Sequence, residues 1–196
     1  IKSVTLCNTD FIARLDADDY AYPNWLKSNY EYLIKNQDVV VCSSQFEELI
    51  DGRLYPQSFS YLENDNEIRK SLTYINPMAH SLSVIRKVSL LEVGGYDPKM
   101  TITHDYDLWV RLLEKGKGHN LNQSLGVHRS HGASYTLQNE RIMIKEAFQV
   151  QWKAYMRFGG NFWKMIQSLS KKGIAWLLPK EIRSYLRACF RKKVIF

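Results

Sequence analysis

The stretch FIARLDADDY, residues 11–20, constrains the fold more than any other part of the chain. Its apolar start predicts a short buried strand. Three acids, Asp16, Asp18 and Asp19, then crowd into four positions. Pro23 suits the first turn of the helix predicted next, because the N–H that proline lacks has no partner there. A strand that ends in a turn and leads into a helix is the repeating unit of α/β proteins.

The rest of the chain alternates in the same way. Strands are predicted at 38–44, at 80–86 and, once or twice, within 119–131, with a hairpin around Asp51-Gly52. The first predicted helix has an apolar stripe at Leu26, Tyr30, Leu33 and Ile34. Further helices are predicted at 63–72 (polar), at 87–93 (stopped by Gly94-Gly95), at 103–116 (capped by Thr103) and from about 138 onward. This alternation predicts an α/β fold.

Charge is distributed unevenly along the 196 residues. Residues 157–196 contain ten Lys or Arg and a single acid, Glu181, whereas the first 156 residues are slightly acidic. Three well-separated cysteines, Cys7, Cys42 and Cys189, form no CxxC pair, which argues against a disulfide framework or a zinc site and fits a reducing cytosol. No apolar run reaches the roughly 18 residues that a membrane-spanning helix needs.

Three interpretations compete for the acidic turn. Asp is common in solvated turns and helix caps, but three acids after a buried strand repel one another unless a cation is present. A calcium loop fails on spacing, because Ala21 and Lys27 stand where its glycine and its bidentate glutamate belong. The third interpretation is a carboxylate pair at the carboxyl end of a strand, holding Mg²⁺ or Mn²⁺ against a phosphate-bearing ligand.

Further motifs favour the third interpretation. ARLDADD is followed in order by GGYDP at 94–98, HDYDLWVRL at 104–112 and HRSHGAS at 128–134. Over residues 9–135 this order resembles the later two-thirds of a family 2 glycosyltransferase catalytic domain. The resemblance implies a GT-A-like, Rossmann-like nucleotide-diphospho-sugar transferase fold. It divides the chain into a partial catalytic domain at 1–136 and a helical basic tail at 137–196.

The resemblance also implies roles for individual residues. Asp16 would contact the nucleoside side of the donor, Asp18 would ligate the metal on the diphosphate, and Asp105 would be the general base on the acceptor hydroxyl. His131 would reach back to the metal or the diphosphate. Further acceptor or auxiliary residues are expected at Asp19, His80, Gly95, Tyr96 and His104. By position alone, Asp107 and Trp109 are expected to be structural, and a direct role is less expected for His128.

Two departures from the family pattern stand out. The family usually has Glu before the catalytic Asp, and this chain has His104. Family domains also begin with a βαβ segment that binds the nucleotide, and ten residues cannot form it. We therefore expect a fragment or a truncated product that lacks much of the donor-binding half.

The expected reaction is metal-dependent, inverting transfer from a nucleotide sugar, with UDP-sugar as the expected donor, to a saccharide or lipid-linked acceptor in bacterial surface polysaccharide synthesis. In the tail, Ile182, Leu186 and Phe190 alternate with arginines, which predicts a helix at an anionic membrane surface on the cytoplasmic side. Alternatives are an inactive glycosyltransferase-like protein, an Asp-x-Asp phosphatase and a basic-tail nucleic-acid binder. Tyr20 stands where the phosphatase motif wants Thr, and the slightly acidic body argues against nucleic acid.

Overall fold

The computed structural model describes residues 2–57, 59–130, 139–177 and 182. Within these residues six strands form one sheet: β1 Phe11–Arg14, β2 Tyr20–Ala21, β3 Val39–Ile50, β4 Arg53–Pro56, β5 Ser83–Arg86 and β6 Lys117–Ser130. The strand order is β1-β5-β3-β6-β2, with β4 paired to β3. β3 and β6 are parallel, and the other pairs are antiparallel. The sheet is therefore mixed, and the predicted α/β class is confirmed.

Seven described helices surround this sheet: α1 Lys2–Leu6, α2 Trp25–Lys35, α3 Asp65–Ser71, α4 Lys87–Glu92, α5 His104–Leu112, α6 Glu140–Phe158 and α7 Phe162–Leu177. Each predicted helix up to α5 is present within a few residues of its expected bounds. The predicted C-terminal helices are also present, as α6 and α7. None of the described helices is both long enough and apolar enough to cross a membrane.

Two apolar cores lie on opposite faces of the sheet. Val41 and Ile85 belong to the core shared with α3, α5 and α6. Their neighbours Cys42 and Val84 belong to the core shared with α2. Since successive side chains of a strand point to opposite faces, β3 and β5 bury residues on both sides. The continuous apolar runs of these two strands thus produce a three-layer arrangement.

The helix α2 buries a different face from the one that its sequence pattern predicts. Trp25, Asn29 and Leu33 are buried, whereas Leu26, Tyr30 and Ile34 are each about half exposed. The predicted stripe is therefore wrong except for Leu33. Two neighbouring stripes of this helix carry apolar residues. The stripe with Trp25 is the buried one, and the indole N–H of Trp25 donates to the Leu82 carbonyl, 2.8 Å away.

Local turn chemistry agrees with the sequence at the hairpin. β3 and β4 pair in antiparallel register up to Ile50 and Arg53, with Asp51 and Gly52 between them at φ 49° and 79°. Two positive φ values are what a two-residue type I′ turn needs, and Asp-Gly supplies them at low cost. The expected hairpin is confirmed.

The helix α6 packs into the same core as the sheet. Its Val150 and Ala154 are fully buried beside Leu108 and Trp109 of α5. Lys153 of α6 also donates to Asp107 of α5, with 2.9 Å between Nζ and Oδ1. The division of the chain at 136/137 stays a prediction.

Candidate active site

The acidic turn separates its three carboxylates. Asp16, which is half-buried, forms an ion pair with Arg14 at 2.9 Å, and its N–H donates to Ser81 Oγ at 3.2 Å. Asp19 is buried and accepts the N–H of Arg129 at 2.9 Å. Asp18 is exposed. Each acid thus has a different environment, which limits the repulsion that three adjacent charges would otherwise suffer.

Asp105 lies in the first turn of α5 and faces the same pocket as Asp16. The side-chain N–H of Asn76 donates to its Oδ2 at 2.8 Å. The pocket has a volume of about 520 Å³, within the usual range for a small-molecule site. His104 lies beside Asp105 on the pocket wall, and Phe46, Phe59, Tyr61 and His128 also line it.

His80 is a largely buried ionisable group of this pocket. Its Nε2 lies 3.3 Å from Arg14 Nε and 2.8 Å from Tyr96 Oη. Because arginine can only donate, Nε2 must accept, and the neutral ring carries its proton on Nδ1. Burial lowers the pKa of His80 to about 4, against the opposing charge of Asp105. His104 packs edge-on to the same ring, with centroids 5.2 Å apart.

The loop before Asp105 is held by a carboxylate from a distant helix. Glu146 of α6 accepts the backbone N–H groups of Thr101, Ile102 and Thr103 at 2.8–2.9 Å, and both threonine hydroxyls as well. Burial disfavours the ionised form of Glu146, but these hydrogen bonds stabilise the carboxylate more strongly and lower the pKa of Glu146 to about 2. The expected capping by Thr103 is wrong in its detail, since its hydroxyl donates to Glu146 instead of accepting from α5.

Several other predicted residues have structural roles. Asp107 is buried between Arg111 and Lys153, both within 2.9 Å, and Trp109 is fully buried in the core, as expected for both. Gly95 adopts φ 68° after α4, and its carbonyl accepts from Arg111 at 2.6 Å. His128, for which a direct role was less expected, lines the pocket and packs against Phe46.

A divalent ion fits the donor chemistry of the acidic turn. Carboxylate oxygens are the ligands that Mg²⁺ and Mn²⁺ prefer, and Mg²⁺ is often held by one or two carboxylates plus substrate phosphates. Asp18 is exposed at the turn, Asp16 is half-buried and Asp19 is buried. Within the described part of the chain, no group of three or more His, Cys, Asp or Glu residues could hold a metal. His131 lies outside the described residues.

Comparison with known proteins identifies the family. The sequence model described as Glycosyl transferase family 2 matches residues 2–94. The O-antigen biosynthesis glycosyltransferase WbnJ of Escherichia coli is 30% identical over 135 residues, covering 67% of this chain and 52% of WbnJ. The chain belongs to glycosyltransferase family 2. This confirms the resemblance seen in the four sequence motifs.

Two further relatives of this family 2 chain extend the comparison. A UDP-Gal:alpha-D-GlcNAc-diphosphoundecaprenol beta-1,3-galactosyltransferase of Escherichia coli is 28% identical over 193 residues, covering 96% of the chain and 67% of that enzyme. The mannosyltransferase PcManGT from Pyrobaculum calidifontis, solved with GDP-Man and Mn2+, superposes with a TM-score of 0.51 at 12% identity, over 100% of the chain and 58% of that protein. The structural likeness confirms the GT-A-type fold. The chain spans about half the length of WbnJ.

Sequence reasoning missed three residues of the family 2 site. Arg14, Asn76 and Glu146 contact Asp16, Asp105 and the loop before Asp105 respectively. Arg14 lies inside the quoted ARLDADD motif, so its position two residues before Asp16 was available as a signal. Asn76 and Glu146 lie far from their partners in sequence, and no local pattern marks them.

Proposed function

We propose that this chain carries the catalytic carboxylate and part of the donor site of an inverting glycosyltransferase. The enzyme would move a sugar from a nucleotide-sugar donor to a hydroxyl of a saccharide or lipid-linked acceptor. The observation that supports this most strongly is that Asp16 and Asp105 line one pocket, although they come from the first and the third of the four motifs. Membership of family 2 supplies the reaction class.

Asp105 is the proposed general base. Transfer forms a bond between the acceptor oxygen and the sugar's anomeric carbon, breaks the bond to the diphosphate, and releases the hydroxyl proton. A carboxylate within hydrogen-bond reach of that hydroxyl takes the proton. Asn76 holds one carboxylate oxygen by its hydrogen bond, which fixes the rotamer and leaves the other oxygen for the acceptor. Attack from the side opposite the leaving group inverts the configuration.

The acidic turn is the proposed donor side. Asp16 would contact the nucleoside part, and Asp18, with His131, would hold Mn²⁺ or Mg²⁺. When bound, such an ion would stabilise the negative charge of the departing diphosphate. Asp19 would keep the turn attached to β6 through its bond to Arg129. His80, Tyr96 and His104 would shape the region between donor and acceptor, with Gly95 supporting the loop behind them.

The named relatives suggest the substrates. WbnJ is described as acting in O-antigen biosynthesis, and the galactosyltransferase carries UDP-Gal and GlcNAc-diphosphoundecaprenol in its name. By analogy, we propose a UDP-sugar donor, a lipid-linked saccharide acceptor and a role in bacterial surface polysaccharide synthesis, on the cytoplasmic side of the membrane. No nucleic-acid partner is proposed.

The last part of the helical tail, residues 157–196, carries most of its basic residues and is the proposed membrane contact. The predicted stripe at Leu186 and Phe190 lies outside the described residues, and Ile182 is half exposed. Supporting this idea, α7 exposes 78% of Trp163 and part of Phe162 and Ile166. Exposed aromatic residues beside lysines and arginines favour the interface of an anionic bilayer, where each basic residue contributes about 1 kcal/mol. Co-sedimentation with anionic vesicles that weakens with salt and requires the tail would support it, and tail-independent recovery would contradict it.

The enzymatic proposal is tested by donor consumption. The chain is incubated with Mn²⁺, a panel of UDP-sugars and a GlcNAc-diphospho-lipid, and the release of UDP is followed. We expect acceptor-dependent UDP release with one donor of the panel. A chain that binds UDP with Mn²⁺ but releases none from any donor would indicate a glycosyltransferase-like protein without turnover.

A further inference from the structure

One wall of the active-site pocket is aromatic. Tyr61 packs edge-on against Phe59, with ring centroids 5.1 Å apart, and lies 5.9 Å from Phe46. On its other side, Phe46 contacts His128 at 5.3 Å. All four side chains line the pocket that contains Asp105. We call Phe46, Phe59 and Tyr61 the aromatic wall.

The aromatic wall is held in place by backbone hydrogen bonds. The side-chain amide of Gln45 accepts the N–H of Tyr61 at 2.8 Å and donates to the Tyr61 carbonyl at 3.0 Å. The N–H of Phe46 donates to the side chain of Gln57 at 3.1 Å. The loop that presents Tyr61 is therefore fastened to β3 without a covalent link. A preorganised surface binds more tightly because less conformational entropy is lost on binding.

Polar and ionisable side chains line the same pocket. They include Asp105, Asn76, His104 and Asp16. Glu48 also lines it, two residues after Phe46 on β3. The pocket thus combines aromatic rings with hydrogen-bonding groups.

We propose that the aromatic wall is the acceptor-saccharide subsite and takes a pyranose ring whose apolar C–H face stacks on the exposed ring of Phe59, against which Tyr61 packs edge-on. A pyranose has C–H bonds on one face and hydroxyls around its edge. The C–H face suits the negative face of an aromatic ring, and the hydroxyls suit the carboxylates and amides that line the same pocket. This inference rests on the proposed function, because it assigns the wall to the substrate that Asp105 deprotonates.

The position of the wall favours the acceptor over the nucleobase of the donor. Phe46 and Glu48 lie on β3, and β5 separates this strand from β1, whose end carries Asp16. Burial raises the pKa of Tyr61, and the charge of Asp105 adds to this effect. The wall therefore shares the pocket of the proposed base, and its residues on β3 lie on a strand that does not pair with β1.

The test uses Phe59→Ala, because Phe59 is 48% exposed and its removal leaves both cores intact. Phe148→Ala is the matched control, since Phe148 is 51% exposed and lines a different cavity. Saturation-transfer NMR on the full chain measures binding of UDP and of methyl glycosides of GlcNAc, galactose, glucose and mannose. We expect Phe59→Ala to weaken glycoside binding by about three- to tenfold and to leave UDP binding and the control unchanged.

Other outcomes would overturn the subsite. Unchanged glycoside binding in Phe59→Ala, or no glycoside signal with the unmodified chain, would remove the proposed stacking. Loss of UDP binding would reassign the wall to the nucleobase. Failure of the proposed function would give a different result. If glycoside binding depends on Phe59 but the chain releases no UDP, the subsite is supported and the catalytic proposal is contradicted.

Discussion

The acidic turn after β1 and the first turn of α5 bring carboxylates to one pocket, but they are supported in different ways. Asp105 is fixed by Asn76, and its loop is fixed by Glu146, which belongs to a helix near the end of the described chain. The acidic turn is fixed mainly by Asp19 and leaves Asp18 exposed. Within the described residues, β1 pairs only with β5. Both sides are held by contacts between residues that are remote in sequence, but on the base side these contacts hold Asp105 itself and its loop, whereas the acidic turn leaves Asp18 exposed.

The largest expected effect is on the base side. In the complete enzyme, Asp105→Asn should reduce turnover by a factor of about 10² or more, because the amide cannot accept the hydroxyl proton. UDP binding should barely change, since the acidic turn is untouched. Steady-state kinetics and calorimetry measure the two quantities separately. Near-normal turnover would reassign the base and weaken the distinction between the two sides.

Glu146→Gln tests the base side alone, because it weakens the hydrogen bonds that hold the loop before Asp105 and leaves the acidic turn unchanged. The charged acceptor is lost, and we expect a cost of about 2 kcal/mol in the free energy of unfolding. We also expect lower turnover with unchanged UDP affinity. Glu31→Gln is the control, because Glu31 forms only an exposed pair with Lys27 at 3.9 Å.

The acid sensitivity of stability should also change in Glu146→Gln. The folded pKa of about 2 lies below the ordinary value of 4.5, so this stabilisation is complete above pH 4.5 and is lost as pH falls toward 2. The variant should lose this part of the pH dependence in denaturant titrations. An unfolding profile as acid-sensitive as that of the unmodified chain would contradict the assignment.

Asp18→Asn tests the donor side. Mn²⁺-dependent binding of UDP should weaken by at least about tenfold, in line with the effect of disturbing metal ligation. The fold should remain intact, because Asp18 is exposed and one fewer negative charge relieves repulsion in the turn. Calorimetry with and without Mn²⁺ decides. Unchanged Mn²⁺-dependent affinity would mean that Asp18 is not the metal ligand.

The smallest expected effect lies between the two sides, at His80. Its folded pKa of about 4 is below the ordinary 6.5, so the unfolded chain gains the proton first and stability falls as pH drops from 6.5 toward 4. Tyr96→Phe removes a donor to the neutral ring and should raise the His80 pKa by about one unit or less. NMR titration of the imidazole measures it. A lowered pKa would contradict the donor role of Tyr96.

The sequence determined most of the elements, though not α1 or β2, and the residues of greatest chemical interest. The strand at residues 11–14, the Asp51-Gly52 hairpin and the helix that carries Asp105 all follow from local patterns. These features depend on turn chemistry and periodicity, which act between neighbours in the chain. The four motifs were enough to predict the family and the fold class. The roles of Asp16, Asp18, Asp105 and His131 remain predictions.

Only the tertiary structure decided which side chains support those residues. Asn76 reaches Asp105 and Glu146 reaches Thr103 across long sequence separations, so no local pattern could mark either pair. The buried face of α2 was also decided by the tertiary structure. Two adjacent stripes of this helix carry apolar residues, and the stripe with Trp25 packs against the sheet. Burial depends on what packs against a helix, and the buried stripe is the one that includes Trp25, whose indole N–H donates to the Leu82 carbonyl.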